Sequence, residues 1–161
     1  MSGMRDAPRA KATANVTALA FDFGTKKIGV AVGDTALAIA HPLATIRGDD
    51  ASRCFDAIAA LIDEWSAGVL VVGRPLHADG REHPTTALAD AFARELTRRF
   101  AIPVVQVDER YTSRVAAHAL AETGAKRRAR RAARDEVAAQ TILQAWLDEH
   151  RHHDLDRLAH S

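Results

Sequence analysis

Two apolar runs joined by a short polar turn begin the patterned part of the chain. Ala18–Phe23 reads as a strand carrying one charge, Asp22, and Ile28–Gly33 reads as its hairpin partner beyond Gly24-Thr25-Lys26-Lys27. Leu37–Ile46 predicts a third strand. Pro42 has no N–H to give a ladder, so this strand must lie at an edge or carry a bulge. Ser52–Trp65 repeats apolar residues at Phe55, Ile58, Leu61, Ile62 and Trp65, a helical period, with Asp49 or Asp50 available as its cap. Val69–Val72 is continuously apolar, as a buried parallel strand is, and Gly73-Arg74-Pro75-Leu76 followed by Asp79-Gly80 ends it in a loop. Thr85–Phe100 places Leu88, Phe92 and Leu96 on one helical stripe. Pro103–Val107 predicts a further strand that ends at Asp108-Glu109-Arg110. A helix from Thr112 or Ser113 fades at Gly124, and Asp135–His150 forms the last helix. The two tryptophans, Trp65 and Trp146, fall on helices and are expected in the core.

Three strands followed by strand–helix alternation predict an α/β chain. Its mixed five-stranded sheet has three antiparallel and then two parallel strands, with helices packed on it. The chain has 161 residues, enough for one domain, expected over 16–150. Residues 1–15 and 151–161 are polar and are expected to be disordered tails. A chain of this length buries enough surface to need no disulfide or structural metal, and Cys54 is the single cysteine, so no internal disulfide can form. The first residues lack the apolar stretch of a secretion signal and nothing nears the length of a membrane span, so the expectation is a cytoplasmic protein with no membrane partner.

The net charge of +1 conceals a cluster: Lys126, Arg127, Arg128, Arg130, Arg131 and Arg134 lie within nine residues. A run like this is often only a solvated face. It points to a polyanion if a catalytic acid stands beside it.

Asp22 supplies that possibility. A carboxylate within a buried strand is costly unless something compensates it. Glu109 lies just past the end of a strand that, as a parallel neighbour of the first, would open on the same sheet edge. Asp135 starts the last helix on a face shared with Ala138, Ile142 and Ala145. Each acid also has an ordinary use: Asp108 or Glu109 as a strand-end turn acid, Asp135 as a helix cap. If the three converge, their repulsion is relieved by a hard cation such as Mg²⁺, which binds through a few carboxylates and substrate phosphates. One or two such ions suit phosphodiester hydrolysis.

Ala20-Phe21-Asp22-Phe23-Gly24-Thr25-Lys26-Lys27-Ile28-Gly29-Val30 resembles the opening motif of the YqgF (RuvX) family. The likeness continues through Val71–Leu76, Asp79-Gly80, Asp108–Ser113, and Asp135 with Ala138-Ala139 and Ile142-Leu143, covering about Thr17 to Glu149. The family comprises Holliday junction resolvase-like proteins, also described as pre-16S ribosomal RNA nucleases, with a ribonuclease H-like fold. The resemblance implies an acidic triad of Asp22, Glu109 and Asp135 holding Mg²⁺ or Mn²⁺. It also implies basic positions at Lys26 and Arg110. Lys27, Arg74 and the basic run are further candidates for phosphate contact. The family usually has Leu at the positions of Arg74 and Tyr111. The implied activity is cleavage of structured nucleic acid. Maturation of the 5′ end of pre-16S rRNA is favoured, and branched DNA is the alternative, acted on by a monomer or weak homodimer. Two rival classes remain on sequence grounds. A non-catalytic RNA-binding ribosome-assembly factor would explain the basic run but not the acids. An actin-like ATPase or sugar kinase would explain Asp-Phe-Gly-Thr, but it needs a second domain.

Overall fold

In the computed structural model, residues 15–110 and 134–159 are described. They form five strands and three helices: β1 Thr17–Asp22, β2 Lys27–Asp34, β3 Ala40–Arg47, α1 Ala51–Trp65, β4 Val69–Arg74, α2 Pro84–Arg99, β5 Val104–Asp108 and α3 Arg134–Ala159. The helix expected from Thr112 or Ser113 and the basic residues Lys126–Arg131 lie outside the described residues, as do residues 1–14.

The strands form one sheet in the order β3-β2-β1-β4-β5. β1 pairs antiparallel with β2, and β2 with β3, whereas β1–β4 and β4–β5 are parallel. This is the mixed sheet of the ribonuclease H-like expectation. One assumption changes: β1 and β5 are parallel but not neighbours, because β4 lies between them. Pro42 is accommodated in both ways the sequence allowed, since β3 is an edge strand and its register with β2 shifts beside the Ala31–Pro42 pair.

Side chains alternate along each strand, so the sheet has two unlike faces. Leu19, Phe21, Val30, Val32, Leu70 and Val72 face α1 and α2, where they meet Ile58, Phe92 and Leu96. Ala18, Ala20, Ala31, Ala40, Val69 and Val71 face α3, where they meet Ala139, Ile142, Leu143 and Leu147. The first face is built from large residues. The second is built from small ones, so α3 comes close to the backbone of the sheet.

Helix ends follow local chemistry. The Asp50 side chain accepts a hydrogen bond from the Arg53 amide at 3.2 Å and caps α1. α2 begins with Pro84 and is capped by His83, whose own amide donates to the Thr86 hydroxyl at 2.8 Å. The buried stripe of α2 is Thr86, Ala89, Phe92, Ala93 and Leu96, and Leu88 lies off it at 45% exposure. Trp65, expected in the core, is instead 37% exposed at the last turn of α1, where the helix has run past the sheet. Trp146 packs partly against the α3 core and stacks on His150 at 5.0 Å. α3 runs to Ala159 rather than stopping at His150, so residues 151–159, expected to be a disordered tail, are helical. That segment is polar but contains neither Gly nor Pro, and a helix nucleated by packing propagates through such residues at little cost. No helix among the described residues is long and apolar enough to cross a membrane.

Phe92 is the hub of the large-residue face. Its ring lies 5.9 Å from Phe21, 5.0 Å from Phe23 and 6.0 Å from Phe55. Truncation to alanine is expected to cost about 3–5 kcal/mol, read as a lowered urea midpoint with unchanged slope. A cost below about 1 kcal/mol would show that this cluster does not carry the fold.

Candidate active site

Period-two alternation decides which acids meet. Asp22 follows Ala18 and Ala20 on β1, so its side chain belongs to the α3 face. Opposite Asp22 on β2 stands Gly29. A Cβ on Gly29 would overlap the Asp135 carbonyl, so the first turn of α3 rests where a side chain would otherwise be. This contact sets Asp135 beside Asp22. On the other side, Gly73 of β4 pairs with Val107 of β5. A Cβ there would overlap the Glu109 carboxylate and lie 2.5 Å from Ile142 Cδ1. Glu109 therefore reaches toward β1 across the intervening strand, over a residue with no side chain. β1 and β5 need not be neighbours for their acids to approach.

The electrostatics record the approach. Burial raises the Asp22 carboxyl to about 6, and the charge on Asp135 adds to the rise. Burial raises Glu109 to about 7, with further contributions from Asp22 and then Asp108. Among the described residues the Asp22 carboxylate has neither a hydrogen-bond donor nor a cationic partner. The charges act on one another in pairs, Asp22 with Asp135 and Asp22 with Glu109. No three His, Cys, Asp or Glu side chains among the described residues are arranged to hold one ion as they stand. The donor set itself fits a hard divalent cation: carboxylate oxygens on one face of the sheet, two of them, Asp22 and Glu109, with raised proton affinity. Mg²⁺ keeps several of its waters and needs only one or two carboxylates, so a pair of these acids is a sufficient anchor. Glu136, not singled out by sequence, accepts from the Thr45 hydroxyl at 3.1 Å and fixes the start of α3 to β3.

The basic candidates divide. Lys26, in the turn after β1, and Lys27, the first residue of β2, are exposed a few residues from Asp22. Arg110 grips Asp108 through three contacts of 2.6–3.1 Å, and its guanidinium lies 3.1 Å from where a Gly80 side chain would begin. Gly80 has a φ of +90°, so the Asp79-Gly80 turn gives Arg110 room at a position that strains other residues. Arg74 has acidic partners within the fold. Its guanidinium pairs with Asp90 at 3.0 and 3.1 Å and with Glu82 at 3.2 Å. Arg134 begins α3, and Lys126, Arg127, Arg128, Arg130 and Arg131 lie outside the described residues. His77 and His83 stack at 4.9 Å on the loop after β4, where His83 serves as a helix cap.

Residues 16–149 match the family model described as RuvX, Holliday junction resolvase. The chain belongs to the RuvX family. A Chromobacterium violaceum relative is 53% identical over 132 residues, which is 81% of this chain and 96% of that protein. A Nitrosospira multiformis relative is 47% identical over 146 residues, 91% of this chain and 97% of that protein. Both carry the name "Putative pre-16S rRNA nuclease". The solved Thermus thermophilus RuvC with a Holliday junction substrate aligns with 84% of this chain and 96% of that chain, at 13% identity and a TM-score of 0.49. Membership in RuvX makes this chain an enzyme of the nuclease class.

The raised acids fix the sign of a pH effect. Both folded values exceed those of an unfolded chain, so the folded state holds more protons between about pH 4 and pH 7. In chelator, the contribution of these groups to stability is therefore expected to fall as pH rises through that window. Asp22→Asn removes the central charge and is expected to stabilise the ion-free protein at about pH 7.5. The gain is on the order of 1 kcal/mol after solvent screening is discounted, and it shrinks near pH 5. Urea titrations at both pH values decide the matter; a variant weaker than the parent at both would contradict the placement of Asp22 among like charges.

Proposed function

We propose that this protein is a divalent-metal-dependent endonuclease that hydrolyses phosphodiester bonds in structured nucleic acid, and that its substrate is the 5′ end of pre-16S rRNA in the cytoplasm. The observation that carries this reading is the approach of Asp135 and Glu109 to Asp22 over Gly29 and Gly73. Like charges held this close, with no cation beside Asp22 among the described residues, form a poor structural device and a good cation site.

Asp22, Asp135 and Glu109 would hold one or two Mg²⁺ or Mn²⁺ ions. When bound, the ion supplies Lewis acidity toward the scissile phosphate and lowers the pKa of the attacking water. The protein's part is placement. Asp22 faces both other acids and forms the centre of the site. Asp135 rides on a helix whose register is set by Gly29, so it is held rigidly. Glu109 follows the end of β5, where its amide donates to the Arg74 carbonyl. Lys26 and Lys27, where the turn after β1 enters β2, would meet phosphates flanking the cut, and the basic run Lys126–Arg134 would add further phosphate contacts. The names of the relatives support pre-16S rRNA, whereas the family description supports branched DNA as the second reading.

A precursor rRNA with an extended 5′ end and a four-way DNA junction, incubated side by side in Mg²⁺, Mn²⁺ and chelator, separate these substrates. Cleavage of the precursor in either ion but not in chelator is expected. Asp22→Asn and Glu109→Gln should each lower the rate on the order of 100-fold or more with the fold retained. Parent-level cutting by Asp22→Asn in Mg²⁺ would end the metal-site reading. Cutting of the junction alone would transfer the assignment to branched DNA.

A further inference from the structure

Arg74 is spent on neither the acids nor the open surface, although it is the last residue of β4 and directly follows Gly73. Its two ends hold different things. Its carbonyl accepts the Glu109 amide at 3.1 Å, a bond that fixes the backbone of the third acid. Its guanidinium takes Asp90 of α2 in a two-point grip at 3.0 and 3.1 Å, and Gln106 of β5 donates to the same Asp90 carboxylate at 2.8 Å. Glu82, in the loop before α2, adds a contact at 3.2 Å. The loop is tied again where the Thr86 hydroxyl donates to the Pro75 carbonyl. Thus one side chain joins the end of β4, the middle of α2 and, through Asp90, strand β5 three residues before Glu109.

We propose that Arg74 is a positioning residue: its grip on Asp90, the carboxylate to which Gln106 of β5 also donates, keeps the ends of β4 and β5 in register and so holds the Glu109 carboxylate over Gly73 and toward Asp22. This role deepens the nuclease reading and rests on it for its kinetic consequence. A planar two-point pair is specific to arginine, since a lysine ammonium offers only a point charge to Asp90. The partly buried setting matters as well, because removing the guanidinium takes from Asp90 its two-point partner and unties the end of β4 from α2, leaving the Gln106 bond and the charge of Arg94.

The test has a structural and a kinetic arm on the full chain. Amide hydrogen exchange should be at least about tenfold faster at Glu109 in Arg74→Leu than in the parent, with Leu19 and Val71 unchanged. On precursor rRNA in Mg²⁺, kcat should drop about tenfold while KM stays within about twofold, because Arg74 does not touch substrate. Arg74→Lys should recover part of the loss, and Arg74→Leu/Glu109→Gln should be no slower than Glu109→Gln alone. If Arg74→Leu does not fold, Asp90→Asn breaks the same grip with the same expected outcomes. Unchanged exchange at Glu109, a loss confined to KM with a reduced salt slope, or additive single-variant losses would each overturn the positioning role. A parent that cuts nothing would defeat the nuclease reading alone, and exchange at Glu109 would still decide whether Arg74 holds it.

Discussion

The structure depends on how closely one helix approaches a sheet. α3 lies on a face made from Ala18, Ala20, Ala31 and Ala40, with Gly29, Gly33 and Gly73 at the points of nearest contact. Large residues there would hold the helix farther off, as the leucines, valines and phenylalanines of the opposite face hold α1 and α2. Close approach puts the backbone of Asp135 against β2 and therefore its side chain next to Asp22. Everything chemical in the molecule follows from this spacing.

The two faces divide the labour. The side of Phe21, Phe92 and Leu96 buries most of the bulky apolar side chains and supplies cohesion. The side of α3 carries acids that disfavour one another, a local cost that the other face offsets. Glu109 and Arg74 stand where these two sides join, at the open ends of β4 and β5. The Arg74–Asp90 pair transmits the firmness of α2 to a residue that has left the strand and would otherwise wander.

Much of this was legible in sequence because the signals were local. A charge inside an apolar run singled out Asp22, a proline in a strand called for an edge or a bulge and β3 has both, and of the two candidate caps Asp49 and Asp50 the structure uses Asp50. What was hidden required knowledge of neighbours in space. Nothing along the chain says that β4 separates β1 from β5, so the means by which Glu109 crosses the gap could not be read. The glycines at 29 and 73 look like ordinary weak points in strands, although both share a parity with Asp22 or Glu109 on the α3 face. The pairing of Arg74 with Asp90 could not be read either, because that acid lies sixteen residues away on a helix. Leu88 was placed in the helical stripe by spacing alone, without the small residues that set the true direction of contact.

Two glutamines on α3 complete the arrangement at the far edge. Gln144 accepts from the Ala40 amide at 2.9 Å and donates to the Ala38 carbonyl at 2.9 Å, and Gln140 donates to the Ala40 carbonyl at 3.0 Å. Their carboxamides imitate a passing peptide and occupy the main-chain groups where β3 begins. An outermost ribbon of this kind is normally a template for unwanted recruitment of other chains. Here the helix that carries Asp135 also covers the start of that border, so loosening its seat would invite aggregation as well as displace Asp135.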